Sequence, residues 1–219
     1  MSIPGIPTNV TLKFAESWVQ QRVSKKRFEH IQGVVVVGRE IALGMGLDPF
    51  PVELACWLHD SCKEIKAREL IEIATSHGMV LTPDEEEYGQ ILHGPVAALI
   101  VQKELRITNK EVLSAISEHT LGGIEMSTTS KIVYLADKLE DSRPEEMTEP
   151  IFRALNAIPI KGIPNAWHDY SETSETDLDA AIAIAISLIA RNLLKKGKPV
   201  QPKAMLVRNQ LLKNIKKGD

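Results

Sequence analysis

The sequence predicts an all-α protein, and three observations point to that class. Nearly every readable segment has the length and amphipathic spacing of a helix, beginning with stretches from about Leu12 to Val23 and from about Lys25 to Leu43. Explicit helix-start signals recur along the chain. No segment shows sustained alternation of apolar and polar residues between turn residues, so no sheet is expected.

The next helices follow from local signals in the first half of the chain. The run Val34 to Val37 is strand-like by composition, but it lies inside a long segment without turn residues and is predicted to be buried helix. Asp48 precedes a helix from about Phe50 to Cys62. Another helix, from about Ala67 to Ser76, is closed by Gly78 in the usual C-terminal position.

Later helices carry clearer start signals. The segment Thr82-Pro83-Asp84-Glu85 combines an N-cap, a proline at the first helical position and a capping-box acid. The segment Thr108-Asn109-Lys110-Glu111 repeats the capping-box pattern and opens a helix that reaches His119. A helix from Val96 to Leu105 places His93 just before its N-terminus.

The composition changes after a helix that begins at Ser127 or Thr128. Residues 144–175 mix prolines, glycines and acids and predict an extended connection with one short helix near 151–157. A long apolar helix follows over about 177–196 and is expected to pack on the main body. The tail over 195–217 is basic, which indicates a solvated or subunit-contacting helix, with an anion or nucleic-acid contact as the alternative.

Bulk properties exclude several classes of protein. The net charge of -3 argues against a protein that mainly coats nucleic acid. No apolar run approaches the roughly 20 residues that span a bilayer, so no membrane association is expected. The first residues lack a basic start and an apolar stretch, so we expect a cytoplasmic protein with Cys56 and Cys62 as reduced thiols.

Six residues of metal-binding type lie in five separate segments of the chain. They are His30, His59, Asp60, His93, His119 and Asp137. Imidazole nitrogen and carboxylate oxygen suit borderline and hard divalent metals, and no thiolate is involved. Four such ligands would hold one ion, and six with a bridging carboxylate are enough for two. Helical bundles build metal sites in this way, from inward-facing side chains on facing helices.

Two placements favour a shared site. Asp137 follows the apolar run 132–136, and Asp60 follows the apolar run 54–58, so both carboxylates are expected to be partly buried. Burial of a carboxylate is costly unless it is paired or metal-bound. A single histidine near an apolar face is more often a core residue, but six such placements are hard to dismiss. The second His-Asp pair, His168-Asp169, lies in the loop-like region and is expected to be surface structure.

These segments resemble the HD-domain superfamily of metal-dependent phosphohydrolases. More narrowly, they are similar to the YqeK-type proteins, which hydrolyse diadenosine tetraphosphate symmetrically to two ADP. The matching segments are Arg27-Phe28-Glu29-His30, Leu58-His59-Asp60 with Lys63, Leu92-His93-Gly94, Glu118-His119-Thr120 and Lys131 to Asp137 with Glu140 and Arg143. The resemblance implies an HD-domain helical bundle with additional C-terminal helices: an N-terminal helix in 1–24, the HD domain in 25–145 and a C-terminal extension in 146–219 packed on it.

The resemblance also implies a ligand set for two divalent ions, iron or manganese first. One ion would be held by His30, His59, Asp60 and Asp137, and the other by Asp60, His93 and His119. Asp60 would be the bridge and a catalytic residue.

Cations and a hydroxyl near these ligands are candidates for the phosphate chain of a dinucleoside polyphosphate. Lys63, one turn past Asp60, is predicted to be catalytic and substrate-binding. Arg27 and Arg143 are predicted to contact phosphate, because arginine suits a bidentate grip. Thr120 could hydrogen-bond the substrate or simply end a helix.

Two other functions remain open from the sequence. The same centre could act on another nucleotide or a phosphodiester, or the protein could be a metal-stabilised module that binds a partner through its basic tail. A homodimer is also possible, through the apolar helix near Ile182 to Ile189.

Overall fold

The structure, a computed structural model, describes residues 3–159 and 168–218, with side chains as far as Lys216. Over these ranges every regular element is a helix apart from one short ribbon, which confirms the predicted all-α class. The helices are α1 (Leu12–Gln20), α2 (Lys25–Gly44), α3 (Pro49–Leu58), α4 (Ala67–Ser76), α5 (Pro83–Glu87), α6 (His93–Leu105), α7 (Lys110–Glu118), α8 (Thr128–Leu139), α9 (Glu145–Ala154), α10 (Glu175–Lys195) and α11 (Pro202–Gly218), with a 3₁₀ turn at Gly89–Leu92. Within the described part of the chain, no helix is long and apolar enough to cross a bilayer.

Helix α8 is the centre of the bundle. Its apolar residues are buried on every side of the helix, namely Ile132, Val133, Tyr134, Leu135, Ala136 and Leu139. A helix that is apolar all round is stable only when other elements surround it. Helices α2, α3, α7 and α10 pack around it. Asp137 lies in the last turn of α8 and is therefore carried into the interior.

Close packing of α2 against α3 depends on a glycine. A β-carbon at Gly38 would lie only 2.7 Å from Cys56 Sγ and 3.1 Å from Val52 Cγ1, so a larger residue would push the helices apart. The strand-like run Val34 to Val37 lies within α2, as predicted. Cys56 and Cys62 are buried free thiols.

Several helix boundaries differ from those predicted. Helix α6 begins at His93 rather than at Val96, so His93 is the first residue of the helix and does not precede it. Helix α1 ends at Gln20, and α3 ends at Leu58 because the chain turns over residues 59–64. The short helix predicted near 151–157 spans Glu145–Ala154, since Pro144 both follows α8 and serves as the N-cap of the next helix.

The cap of α7 also differs from the predicted pattern. Asn109, rather than Thr108, is the N-cap, and its side chain accepts a hydrogen bond from the Val112 N–H. The capping box at Thr82 is present as predicted, with Glu85 bonded back to the Thr82 N–H.

A two-stranded antiparallel ribbon was not expected from the sequence. Strand β1 (Ile158–Pro159) pairs with β2 (His168–Asp169), with Ile158 opposite Asp169. The second His-Asp pair therefore lies in a strand, where the His168 ring stacks on Phe152 at 3.9 Å between centroids. Strand pairs this short depend on tertiary contacts, and the local pattern of apolar residues does not reveal such contacts. The segment Ile163-Pro164-Asn165, predicted to be loop, lies outside the described residues.

The basic tail forms α11, which packs against α10 through the buried side chains of Val207 and Leu211. On α10, Ile182 and Ile186 are buried in the core of this same chain. A homodimer stays a prediction, and it would use residues other than these two.

Two ion pairs made by one lysine fasten α10 to the bundle. Lys131 Nζ on α8 lies 2.7 Å from Asp179 Oδ1 and 2.8 Å from Glu175 Oε2, both on α10. Burial acts to lower the pKa of Lys131, but contacts with Asp179 and Glu175 outweigh it and raise the pKa above its usual value. Asp179 is itself buried, and the Lys131 cation offsets the cost of burying its carboxylate.

We expect Lys131→Met to lower the free energy of unfolding by about 3 kcal/mol, because it leaves the Asp179 carboxylate buried without its cation. The double variant Lys131→Met/Asp179→Leu should recover most of that loss, since an apolar pair removes the uncompensated charge. Urea unfolding of the three proteins measures both effects. Equal stability of the single and double variants would contradict this role for the ion pair.

Candidate metal centre

The structure brings together the six side chains that the sequence analysis singled out. One group, in which each residue offers a ligand atom within 4.8 Å of the others, consists of His30, His59, Asp60 and Asp137. A second group that meets the same distance consists of Asp60, His93 and His119. Asp60 belongs to both groups, and every member except His30 is buried.

The Asp60 carboxylate lies between two pairs of imidazoles. Its Oδ2 is 3.7 Å from Nε2 of both His30 and His59. Its Oδ1 is 3.4 Å from His93 Nε2 and 3.3 Å from His119 Nε2. One oxygen therefore faces each histidine pair, which is the arrangement expected of a bridging ligand.

Asp137 completes the first group only. Its Oδ1 lies 3.0 Å from His30 Nε2 and 3.8 Å from His59 Nε2. The last turn of α8 thus meets α2 and the end of α3 at this carboxylate, because Asp137 is carried inward with the rest of the buried helix.

Backbone carbonyls fix three of the imidazoles. In each, Nδ1 donates to the carbonyl oxygen three residues earlier: His59 to Cys56 at 2.6 Å, His93 to Gln90 at 2.6 Å and His119 to Ile116 at 2.7 Å. A carbonyl oxygen can only accept, so Nδ1 carries a hydrogen and Nε2 is the nitrogen that faces the cluster. Ligating histidines are usually held in this way.

The fourth imidazole is held by a carboxylate. His30 Nδ1 lies 3.0 Å from Glu140 Oε1, and Glu140 in turn accepts hydrogen bonds from the backbone and hydroxyl of Ser142. Burial acts to raise the pKa of Glu140, but His30 and Ser142 outweigh it and lower the pKa to about 2. Glu140 therefore stays charged and orients His30 toward the cluster.

The inward-facing nitrogens fit a divalent cation. Among the described residues, Nε2 of His30 and Nε2 of His59 are buried without a hydrogen-bond partner. His93 Nε2 and His119 Nε2 are only 3.0 Å apart, and both face Asp60 Oδ1, so one ion could contact all three atoms. Such a set of nitrogen and carboxylate donors suits borderline divalent metals.

Both carboxylates in the cluster are ionised. Burial by itself would raise the pKa of Asp60, but the neighbouring histidines, His59 foremost, hold it well below its usual value. Burial would likewise raise the pKa of Asp137, but Lys138 and the adjacent imidazoles hold it well below its usual value. The cluster therefore offers two negative charges to a bound cation.

The two arginines predicted to bind phosphate lie at the mouth of the cluster. Arg27 Nη1 is 2.8 Å from Asp60 Oδ2, and Arg143 Nη2 is 2.9 Å from Asp137 Oδ1. Arg143 Nε also donates to the Asp137 carbonyl at 3.0 Å. Each guanidinium is partly exposed and therefore open to a ligand from solvent.

Two lysines add positive charge at the same place. Lys63 Nζ lies 3.2 Å from His93 Nε2, and burial lowers the pKa of Lys63 from its usual value. The turn after α3 holds Lys63 here, because its N–H donates to the Asp60 carbonyl at 3.0 Å. Lys138 Nζ lies 2.5 Å from Asp137 Oδ2.

Sequence reasoning left out Lys138 and Glu140 as site residues. Lys138 directly follows Asp137, and Glu140 belongs to the segments that carry the family resemblance, but neither was given a role. Charged residues at such positions are usually solvated, so spacing alone could not separate them from ordinary surface charges.

The loop after α7 places Thr120 in the cluster. Thr120 Oγ1 lies 3.1 Å from His93 Nε2 and 3.3 Å from His119 Nε2. Gly94 lets the start of α6 lie close to the end of α7. A β-carbon at Gly94 would lie 3.0 Å from the Ile116 carbonyl oxygen and 3.1 Å from His119 Cε1. The glycine that follows His93 therefore has a packing role.

A cleft of about 390 Å³ opens beside the cluster. Its inner end is cationic, with Arg27, Lys63, Lys138 and Arg143 around the two carboxylates. From there the cleft continues between α9 and α10. The site thus joins a candidate metal cluster to a positively charged channel.

The chain is similar in sequence to a known protein family and to named relatives. The family model of the HD domain matches residues 27–141. A relative from Halalkalibacterium halodurans, named "Bis(5'-nucleosyl)-tetraphosphatase, symmetrical", is 30% identical over 197 residues, which cover 89% of this chain and 93% of the relative. A relative of the same name from Bacillus subtilis is 29% identical and is covered to 94%.

A solved structure shares the fold. The crystal structure of a protein from Clostridium acetobutylicum, described as a predicted HD superfamily hydrolase involved in NAD metabolism, has a TM-score of 0.79 with 24% sequence identity. The match covers 93% of this chain and 98% of that one, so the C-terminal helices belong to the shared architecture.

We expect Asp60→Ala to abolish the binding of divalent metal, because that carboxylate faces both histidine pairs. The matched control is Asp169→Ala, which changes the exposed aspartate of the other His-Asp pair. Metal analysis after reconstitution should find metal in the control only. Added metal should raise the melting temperature of the control and leave that of Asp60→Ala unchanged. Full metal content in Asp60→Ala would contradict the assignment.

Proposed function

Since this chain belongs to the HD domain family and is a metal-dependent phosphohydrolase, we propose that its substrate is a dinucleoside polyphosphate and that diadenosine tetraphosphate is cut symmetrically to two ADP. The observation that carries the proposal is the Asp60 cluster beside four cationic side chains. A tetraphosphate chain has several negative charges, and a site of this kind can neutralise them. The names of the two relatives described above support the choice of substrate.

Two divalent ions are proposed, with His30, His59, Asp60 and Asp137 as ligands of one, and Asp60, His93 and His119 as ligands of the other. Bound there, such ions would supply Lewis acidity, which lowers the pKa of water and withdraws charge from phosphoryl oxygens. The nitrogen and oxygen donors suit iron or manganese, although several divalent metals prefer similar sets.

The cations are proposed to grip the phosphate chain. Arg27 and Arg143 pair with the carboxylates of Asp60 and Asp137. Each guanidinium could instead donate two N–H hydrogen bonds to phosphate oxygens. Lys63 and Lys138 supply point charges at the inner end of the cleft. Thr120 Oγ1 adds a hydrogen bond at the histidine pair of α6 and α7.

Symmetric hydrolysis breaks the bond between the second and third phosphate groups. The oxygen of water adds to one of these phosphorus atoms, and the bridging oxygen leaves with the other ADP. A terminal phosphate loses its last proton near pH 6, so the leaving group needs little help from a protein acid at neutral pH. Lys63 is proposed to stabilise the negative charge that develops on the non-bridging oxygens.

The products identify the position of cleavage. We expect the metal-loaded protein to convert diadenosine tetraphosphate to ADP alone, which chromatography of the products measures. Formation of AMP together with ATP would show that the tetraphosphate binds in a different position and is cut at another phosphorus. Bound metal without turnover of any nucleotide in a panel would contradict hydrolysis and indicate a binding module.

We expect Lys63→Met to lower kcat by about a hundredfold, because it removes one charge that stabilises the transition state. Lys66→Met is the matched control, since Lys66 is an exposed lysine one turn further along the chain and does not line the cleft. Steady-state kinetics with equal metal content in both variants measures the effect. Similar kcat values for the two variants would contradict the role of Lys63.

A further inference from the structure

The cleft beside the cluster has two chemically different ends. Its volume of about 390 Å³ lies within the range of small-molecule sites. The inner end holds four cationic side chains and two carboxylates. The outer end is apolar and is built by helices that lie outside the region matched by the HD domain model.

Two helix faces form the apolar end. Met147 and Ile151 on α9 are four residues apart, so they share one face. Ala185, Ile189 and Asn192 on α10 recur at spacings of four and three residues, and they also share a face. Asn192 is exposed, which places its amide at the rim of the cleft.

A ligand that fits both ends is strongly anionic at one end and flat and apolar at the other. A purine nucleotide has this form, since its phosphates carry the charge and its base buries an apolar face. We propose that the outer end binds one nucleoside of the substrate and that Asn192 reads the edge of its base. This inference rests on the proposed function and deepens it.

Asn192 has the hydrogen-bonding groups that an adenine requires. Its side-chain amide offers one acceptor and two donors. Adenine offers a donor at N6 and an acceptor at N7, which an asparagine can pair in a bidentate way. The phosphate end thus comes from the HD domain, and selection of the base comes from the C-terminal extension.

The apolar wall is tested by Ile189→Gln in the full-length, metal-loaded protein, with Ile189→Ala as a second variant. Ile184→Gln is the matched control, because Ile184 is a partly buried isoleucine of α10 that does not line the cleft. Calorimetry measures the affinity for two probes, ADP and inorganic pyrophosphate. Both probes carry phosphate, but only ADP carries a base.

We expect both Ile189 variants to weaken ADP binding by about tenfold or more, since apolar contact with the base is lost. Pyrophosphate affinity should stay the same in both, and Ile184→Gln should resemble the unmodified protein. Unchanged ADP affinity, or an equal loss for ADP and pyrophosphate, would overturn the proposal.

The role of Asn192 is tested by Asn192→Leu, which is similar in size and removes both the acceptor and the donors. We expect the ratio of kcat/KM for the diadenosine substrate to that for the diguanosine substrate to fall about tenfold, at the lower end of the discrimination that a good bidentate pair provides. Leucine adds no charge that would act on the phosphates of either substrate, so the ratio isolates the contact with the base. An unchanged ratio would overturn the role of Asn192.

The two proposals fail in different ways. If no dinucleotide is hydrolysed but ADP binding still depends on Ile189, the proposed reaction is wrong and the nucleoside site stands. If diadenosine tetraphosphate is hydrolysed, but substitutions at Ile189 and Asn192 leave ADP affinity and base preference unchanged, the proposed nucleoside site is wrong and the reaction stands.

Discussion

Burial of the Asp60 carboxylate among four imidazoles is the constraint on which the rest of the structure depends. A buried carboxylate without partners is costly, so its surroundings must supply compensating charge or donors. Asp60 is 2% exposed, and each of its oxygens faces a different pair of histidines. The ends of α3, α6 and α7 and the facing sides of α2 and α8 must therefore meet at one point.

Helix ends, rather than helix middles, place three of the histidines. His59 and His119 are the C-caps of α3 and α7, and His93 follows the 3₁₀ turn as the first residue of α6. Carbonyls near a helix end lack intrahelical partners. The rings of His59 and His119 use carbonyls of the last helical turn to fix their Nδ1 hydrogens, so the same local geometry ends the helix and aims Nε2. His93 uses the Gln90 carbonyl, which also accepts the His93 backbone N–H in the 3₁₀ turn.

The two arginines at the cluster could exchange their carboxylate partners for phosphate. Arg27 and Arg143 lie on the carboxylates of Asp60 and Asp137, where a bound cation would also make its contacts. A cation on the carboxylates and a phosphate chain at the arginines would satisfy both sets of charges. The C-terminal helices matter here because they extend the cleft beyond this charged region.

The sequence by itself determined the class of most elements and the chemistry of the centre. Caps such as Thr82 with Glu85, and Gly78 with its positive φ, act over a few residues, so they can be read locally. The six residues proposed as nitrogen and oxygen ligands were likewise visible as residue types. Their meeting at Asp60, the inward turn of Lys138 and the β1–β2 ribbon were decided only by tertiary structure. These features join residues far apart in the chain, and the packing around α8, which no local periodicity reports, sets their distances.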